Sequence, residues 1–378
     1  MSKEKNFLLL KIFLISFLPV FFIWLPFFLH LNQLFFLPIK PGGMQNILKN
    51  WDGPSYLIVA KSLYDSEIIG KLLFSGLPHE YFFAHFPLYP LLIRFFSIFF
   101  TNFFYAGLFI NLLFGFLLNL LFYEFIKEKT RKPLLLTFIF TIFPARFLIT
   151  RAIIAPETLM VFFTLFSLVF FEKKRYFLSS ISASFAVLTK IQALFLFPAY
   201  LFFFLKNAIG RKKRFDKSFI WIFLIPLALF LLFFFYYLKT GDFLVFLKAQ
   251  KQNQLYFNLP FSQFNYQGAW SGTGWLEDII FYYLGLALLT AALFKDKQRS
   301  FFYFSFFYSL FLIFIPQRDI TRFTYPLLPL FYYQFASFFE NRTVRIAFLF
   351  ILPAIYFYAV NFILVNQAPV ADWSLLIK

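Results

Sequence analysis

The chain has little of what a soluble protein contains. It has no cysteine, which excludes disulfide bonds, thiolate chemistry and cysteine-based metal sites. Charged residues make up 14% of the 378 residues, whereas soluble domains carry about 25%. Hydrophobic residues make up 61%, and the mean hydropathy is +0.75. This much apolar surface needs a lipid environment, so the composition indicates an integral membrane protein.

Positive charge is in excess, with a formal net charge of +18. A nucleic-acid-binding domain would gather this charge on one face or in one domain. Here the basic residues stand in short clusters between apolar runs, which is the pattern of cytoplasmic loops in a membrane protein. We therefore expect no nucleic-acid partner and place six clusters in the cytoplasm: Lys3 with Lys5, 127–132, 172–175, 211–217, 295–299 and 341–345.

Apolar runs long enough for membrane helices recur along the chain, since a crossing needs about 20 residues. We assign crossings to 7–31, 103–125, 133–150, 157–171, 176–189, 192–205, 218–238, 276–294, 300–315, 321–339 and 343–365. The first of these is too long for the core of a signal peptide and is expected to be an uncleaved helix. The sequence thus predicts an all-α, polytopic helix bundle of about eleven transmembrane helices, forming a single domain over 1–378.

A further apolar run, 85–100, is expected not to cross the membrane. If it crossed together with 103–125, the basic cluster 127–132 would lie outside and every later cluster would be inverted. It also contains Pro87, Pro90 and Arg94. We expect it to lie on the membrane surface or to insert partially, which leaves the N-terminus inside and the C-terminus outside.

This topology gives two long external loops, 32–102 and 239–275, and long loops on a compact bundle commonly carry binding or chemistry. The first is expected to contain interfacial helices. Ionisable residues collect on the same outer side, where each is a functional candidate because charge is costly at membrane depth. They are Asp52, His79, Glu80, His85, Arg94, Arg146, Arg151, Glu157, Lys190, Arg318, Asp319 and Arg322.

Each of the main candidates has a structural alternative. Asp52 could be a general base, or it could cap the helix that follows it, with Pro54 in the first turn. Glu157 follows Pro156 and could be catalytic or a first-turn acid favoured by the helix dipole. Arg322 and, more weakly, Lys190 could bind phosphate, or they could extend to the membrane interface. His79 and His85 do not form a metal motif, so no metal and no cofactor is expected.

Four stretches of the chain are similar to motifs of one enzyme family. They are WDGPSYLIVAKSLY (51–64), YFFAHFPLYPLLIR (81–94), FPARFLITRAIIAPETLMVFF (143–163) and TRFTYPLLPLF (321–331). In this order they resemble the multi-spanning glycosyltransferases of the GT-C class, and most closely the PIG-V-like mannosyltransferase family, which includes GPI mannosyltransferase 2. The chain departs from the family pattern at Asn50, where the family has Arg, at the order Pro156-Glu157-Thr158, and at Phe323, where a Tyr would follow Arg322.

The resemblance implies a hexosyltransferase that takes a sugar, with mannose expected, from a polyprenyl-phosphate-linked donor to a lipid, glycan or protein acceptor. Asp52 would be the general base of a single inverting displacement, and no metal would be needed. The enzyme would lie in a prokaryotic plasma membrane with its active site on the extracytoplasmic face, contacting membrane lipids; the sequence names no protein partner. The predicted catalytic residues are Asp52 and Glu157, and the predicted substrate contacts are Trp51, Tyr56, His85, Tyr89, Arg146, Arg151, Lys190, Arg322 and Tyr325.

Two other classes of function stay open at this point. A transporter or flippase of a lipid-linked saccharide would place its charges near the bilayer midplane on broken helices. A structural or assembly partner would show packing faces of small residues, and the chain has only 13 glycines. The charges here map to the outer ends of the predicted spans, which favours chemistry at the membrane surface.

Overall fold

The chain is mostly helical in the computed structural model, which describes residues 3–72, 77–211, 217–252, 257–264, 273–295, 300–316, 319–368 and 376. Contacts divide it into two compact units, Met1–Phe162 with Phe335–Lys378, and Phe163–Gln334. The all-α class is confirmed. The single domain over 1–378 stays a prediction. Arg318, most of the clusters 211–217 and 295–299, and parts of the loop 239–275 lie outside the described residues.

The helices and strands of these residues follow one another in a simple order. Two short antiparallel strands, β1 (Gln33–Leu34) and β2 (Leu37–Pro38), come directly after the first helix. The 3-10 helices are His79–Ala84, Ile191–Phe195, Lys217–Phe223, Ser262–Phe264 and Tyr325–Leu327. The α-helices are α1 (Lys3–Phe28), α2 (Gln45–Leu48), α3 (Gly53–Ser62), α4 (Ser66–Leu72), α5 (Leu88–Phe100), α6 (Phe103–Ile126), α7 (Pro133–Ile142), α8 (Ala145–Ala152), α9 (Glu157–Glu172), α10 (Tyr176–Thr189), α11 (Leu196–Arg211), α12 (Leu224–Thr240), α13 (Val245–Gln252), α14 (Thr273–Phe294), α15 (Ser300–Ile313), α16 (Ile320–Phe323), α17 (Leu328–Gln334), α18 (Ala336–Glu340) and α19 (Arg342–Val365).

Several helices are long and apolar enough to cross a membrane. In the described part of the chain there are six, and seven if α7 and α8, bent by 77°, form one span. The six are Lys3–Phe28, Phe103–Ile126, Ile191–Ile209, Lys217–Thr240, Glu277–Phe294 and Arg342–Val365. The chain is therefore a helical membrane protein, whereas the count of about eleven crossings stays a prediction.

The run at 85–100 forms a short helix. α5 has 13 residues, which gives a length of about 20 Å, less than the roughly 30 Å of the hydrocarbon core. Arg94 on this helix donates through Nη1 to the carbonyl oxygens of Ala60, at 3.1 Å, and Lys61, at 2.9 Å. These contacts tie α5 to the end of α3, whereas the absence of a crossing at 85–100 stays a prediction, since α10 and α15 are of similar length.

The helix after Asp52 differs from the expected interfacial helix. α3 begins where predicted, but nearly all of its side chains are buried rather than those of one face. It packs against α5 and α6, and Gly53 at its start lies against Ile154. The sequence pattern could not show this, because the covering residues come from distant parts of the chain.

The first unit is built around α1, which packs against α6, α7 and α8. The Trp24 indole Nε1 donates to the carbonyl oxygen of Ala152 at 2.6 Å, joining the last turns of α1 and α8. The helix break between α7 and α8 lies at Pro144, which has no N–H group to continue the hydrogen-bond ladder. The ends of α1 and α8 therefore meet at one end of this unit.

In the second unit α10 packs against α12, and α11 and α14 pack against α15. The carboxylate of Glu172, at the end of α9, accepts from the backbone N–H and the hydroxyl of Ser300 at 2.9 and 2.8 Å. The predicted crossing 321–339 is divided into α16, a 3-10 turn, α17 and the start of α18. Pro326 and Pro329 lie in this stretch, and proline removes backbone donors that a continuous helix needs.

Candidate active site

Asp52 stands directly before α3, at the position where a side chain commonly caps the helix. Its carboxylate makes no capping hydrogen bond to the helix, and its side chain is half-buried. The preceding residue, Trp51, has φ of 50°, a left-handed conformation that is unusual for a bulky residue. Such conformations persist where the surroundings enforce them and are frequent at functional sites. This geometry does not support the alternative in which the Asp52 side chain caps α3.

Arg146 lies against the residue next to Asp52. Its guanidinium carbon is 5.1 Å from the centre of the Trp51 ring and 5.2 Å from that of Phe362, and the residue is 8% exposed. The two rings meet edge to face at 4.9 Å. Cation–π contacts of this kind hold a guanidinium in a fixed place. The fold thus brings two predicted substrate contacts, Trp51 and Arg146, together at the residue that precedes the predicted base.

The segment before Asp52 is held by the residues around the end of α19. The Asn50 side chain donates to the carbonyl oxygen of Ile363 at 3.1 Å, and the Trp51 N–H donates to that of Asn366 at 3.1 Å. The N–H of Ala368 donates to the carbonyl oxygen of Lys49 at 2.7 Å. Sequence reasoning noted Asn50 only as a departure from a family motif and missed this contact, because a pairing over more than three hundred residues leaves no local pattern.

Three predicted substrate contacts, Tyr56, His85 and Tyr89, form a buried aromatic cluster. The Tyr56 ring meets the His85 ring at 4.8 Å and the Tyr89 ring at 5.4 Å, both edge to face. All three residues are at most 4% exposed. The Tyr64 hydroxyl donates to the backbone oxygen of His85 at 2.6 Å, which anchors the 3-10 turn before it. The motifs at 51–64 and 81–94 are therefore in contact, whereas their role in binding substrate stays a prediction.

Glu157 begins α9 and is fully buried. Burial raises the pKa of the Tyr89 hydroxyl well above its ordinary value, and the charge of Glu157 raises it further. The Tyr89 hydroxyl also lies within hydrogen-bonding reach of the Ala155 backbone and of the Asn111 side chain. Glu157 consequently belongs to the same buried neighbourhood as the aromatic cluster.

Asn111 is a residue that the sequence analysis missed. Its side-chain amide donates to the carbonyl oxygen of Thr150 at 3.1 Å and also to that of Ile153. It thereby ties α6 to the turn that leads to Glu157. The available signal was its isolation as a polar residue inside an apolar span, where polar groups usually bind another helix.

Arg151 is 1% exposed and lies inside the helices of the first unit. Its Nη1 donates to the Asn119 side-chain oxygen at 3.0 Å, and its guanidinium lies over the rings of Phe140 and Phe147 at 5.3 and 4.7 Å. Asn119 in turn donates to the hydroxyl of Ser16 at 2.8 Å. This setting favours a role in holding α8, and a direct substrate contact of Arg151 stays a prediction.

Lys190, Arg322 and Tyr325 belong to the second unit, and the other candidates to the first. The Lys190 ammonium lies 5.8 Å from the centre of the Phe323 ring, beside Arg322 in α16. Tyr325 is fully buried, whereas Lys190 and Arg322 are half-buried. The fold therefore brings Lys190 against Phe323, the residue that follows Arg322.

An apolar groove of about 930 Å³ lies in the first unit between α1, the β1–β2 hairpin, α7 and α19. Its walls include Pro19 of α1 and Pro353 of α19, and prolines inside helices favour bends. At the hairpin, Phe35 and Phe36 are 76% and 69% exposed, and both pack on Phe357. The groove has the volume and lining to hold a hydrocarbon chain.

Metal binding has no candidate site in the described residues, where no three His, Asp or Glu side chains lie close enough to share an ion.

Comparison of the chain with known protein families, with curated proteins and with solved structures yields no match. The resemblance to the PIG-V-like mannosyltransferases therefore stays a prediction that depends on the four stretches quoted above.

Proposed function

We propose that this chain is a membrane glycosyltransferase that moves a sugar, expected to be mannose, from a polyprenyl-phosphate donor to an acceptor hydroxyl. The observation that carries the proposal is the geometry around Asp52. Its carboxylate does not cap α3, the preceding Trp51 is held in a left-handed conformation, and Arg146 is fixed over that ring. A carboxylate that does not cap its helix, next in the chain to a ring that holds a cation, suits proton transfer during group transfer.

The proposed reaction is a single displacement. Asp52 removes the proton from the acceptor hydroxyl, and the acceptor oxygen forms a bond to the anomeric carbon of the sugar. The bond between this carbon and the phosphate oxygen breaks, and the polyprenyl phosphate leaves with the electron pair. Arginine and lysine stabilise the charge on the leaving phosphate, which is the role proposed for Arg322 and Lys190.

The apolar groove supports a lipid-linked substrate. It lies between α1, α7 and α19 in the unit that contains Asp52, and Phe357 on its wall stands on the same helix as Phe362, which Arg146 contacts. The five residue steps from Phe357 to Phe362 correspond to a rise of about 7.5 Å along the helix. A hydrocarbon chain in the groove would thus end near the level of Arg146.

Two contacts support the proposed topology, in which six basic clusters lie in the cytoplasm and about eleven helices cross. Glu340 accepts from the N–H of Arg131 at 2.8 Å, joining the cluster 127–132 to the start of the cluster 341–345. Glu172, the first residue of the cluster 172–175, accepts from the N–H of Ser300 at the start of α15, directly after the cluster 295–299. Each contact joins chain segments that the proposal assigns to the same side.

The topology is tested by cysteine accessibility, which suits a chain without native cysteine. We expect a cysteine at exposed Ser66 to react with an impermeant reagent in intact cells, since the proposal puts 32–102 outside. Labelling only after permeabilisation would overturn the topology.

The activity is tested by incubating membranes that contain the chain with radiolabelled polyprenyl-phosphate mannose. We expect label to move to a new product with the wild-type chain and not with Asp52→Asn. Asp65→Asn is the matched control, because Asp65 is a neighbouring aspartate whose carboxylate only caps a helix. Equal transfer by wild type and Asp52→Asn, or none by wild type with any of several polyprenyl-phosphate sugars, would contradict the proposal.

A further inference from the structure

Ile154 lies between two glycines of different helices. A Cβ atom at Gly107 of α6 would be 3.2 Å from Ile154 Cγ1 and 3.4 Å from Cδ1, and one at Gly53 of α3 would be 3.4 Å from Ile154 Cβ and from its carbonyl oxygen. Ile154 itself is 1% exposed. A side chain at Gly107 would therefore press on the Ile154 side chain, and one at Gly53 would meet Ile154 at van der Waals distance and the Leu48 carbonyl oxygen at 3.2 Å.

The turn that carries Ile154 is fixed on both sides. Asn111, one helical turn after Gly107, donates to the carbonyl oxygens of Thr150 and Ile153. Before Ile154 in the chain, the carbonyl oxygen of Ala152 accepts a hydrogen bond from the Trp24 indole at 2.6 Å. Ile154 thus has little room to move away from a new atom, because close-packed interiors transmit such shifts to their neighbours.

Both predicted catalytic carboxylates adjoin this turn. Asp52 directly precedes Gly53, which touches Ile154, and Glu157 follows Ile154 by three residues at the start of α9. We infer that Ile154, seated between Gly53 and Gly107, is a positioning residue that sets where Asp52 and Glu157 stand relative to each other. The activity part of this inference rests on the proposed function, whereas the coupling of the two segments does not.

Gly107→Ala is the informative variant, and Gly115→Ala is its control on the same helix. A Cβ at Gly115, which is also buried, would have no atom within 4 Å. We expect Gly107→Ala to lower kcat about tenfold to hundredfold, as small misplacements of reacting groups do, with little change in KM. Gly115→Ala should keep wild-type kcat. Equal kcat in the two variants would overturn the inference.

A second substitution should reverse the effect. Ile154→Ala removes the atoms that face Gly107, Cγ1, Cγ2 and Cδ1, but keeps the Cβ and the carbonyl oxygen that face Gly53. We therefore expect the double variant Gly107→Ala, Ile154→Ala to have a higher kcat than Gly107→Ala alone. A kcat equal to or below that of Gly107→Ala would show that steric displacement of Ile154 is not the cause.

Hydrogen–deuterium exchange of the purified full chain gives a readout that needs no activity. We expect Gly107→Ala to raise exchange at least about tenfold in peptides covering both 50–56 and 150–157, and Gly115→Ala to leave both unchanged. Unchanged exchange in 50–56 would overturn the coupling. A wild-type chain that transfers no sugar but shows this exchange pattern would contradict the proposed function while leaving the coupling in place.

Discussion

Asp52 and Asp65 stand before neighbouring helices, α3 and α4, but use their carboxylates differently. The Asp65 carboxylate accepts from the backbone N–H groups of Glu67 and Ile68 at 3.0 and 3.1 Å, whereas that of Asp52 makes no capping bond to α3. The same residue type at equivalent positions thus caps the following helix in one place and does not cap it in the other. This difference defines the first test.

We expect Asp52→Asn to lower the rate of sugar transfer by about 10²–10⁴-fold, the usual effect of losing a general base. The substitution keeps the size of the side chain but removes its ability to take a proton. Because Asn has nearly the same size as Asp and caps helices about as well, the melting temperature should change little. Turnover is measured with a radiolabelled polyprenyl-phosphate sugar, and unfolding by the temperature dependence of the circular dichroism.

Asp65→Asn should give full activity, since Asn caps helices about as well as Asp. If Asp52→Asn keeps more than about a tenth of wild-type turnover, the loss is too small for a missing base. Glu157 would then be the better candidate, and Glu157→Gln the next variant to measure.

Arg322→Ala is expected to weaken use of the donor. Loss of a charge-assisted contact to phosphate costs about 1.5–3 kcal/mol, or roughly tenfold to hundredfold in affinity. Arg322→Lys should recover only part of this, because lysine lacks the planar pair of donors that matches a phosphate. KM for the donor is measured at constant acceptor concentration. An unchanged KM in Arg322→Ala would mean that Arg322 only extends to the membrane interface.

The sequence predicts the helical parts of this fold because membrane helices need long apolar runs. The run 218–238 corresponds to the helical stretch Lys217–Thr240, and the run 343–365 to Arg342–Val365. The sequence does not predict that 321–339 breaks into short helices, since proline is tolerated in some membrane helices and not in others.

The candidate site was predictable as a set of residues but not as an arrangement. Trp51 and Arg146 were both expected to contact substrate, yet their cation–π contact joins residues far apart in the chain. The hydrogen bond between Asn50 and Ile363 also joins residues far apart in the chain. Long-range contacts such as these depend on how helices pack, and packing leaves no period or spacing in a single sequence.

Glu340 is expected to stabilise the first unit at the end where the basic clusters 127–132 and 341–345 meet. Its carboxylate accepts from the Thr130 hydroxyl and from the N–H groups of Arg131 and Lys132. The Thr130 hydrogen bond, followed by those two N–H groups, lowers the pKa of Glu340 below its ordinary value. Glu340→Gln should lower stability by about 1 kcal/mol near neutral pH, a value reduced for partial exposure.

The pH dependence of this effect has a definite sign. Because the pKa of Glu340 is lower in the folded chain, its stabilisation is present above the ordinary pKa of 4.5 and is lost as the pH falls below it. The melting temperatures of wild type and Glu340→Gln should therefore differ at neutral pH and converge in acid. Glu124→Gln is the control, since Glu124 pairs only at the surface with exposed Lys127 and should change stability little. A difference that grows in acid would contradict this account.

The apolar groove is tested by filling it. Leu18 lines the groove and is 39% exposed, so Leu18→Trp should occupy space that a hydrocarbon chain needs. We expect KM to rise for a long-chain polyprenyl-phosphate donor and to stay unchanged for a water-soluble donor with a short chain, because only the long chain reaches the groove. Leu10→Trp is the control, since Leu10 is exposed on the same helix but does not line the groove. Equal KM values for the long-chain donor in the two variants would exclude the groove as its binding site.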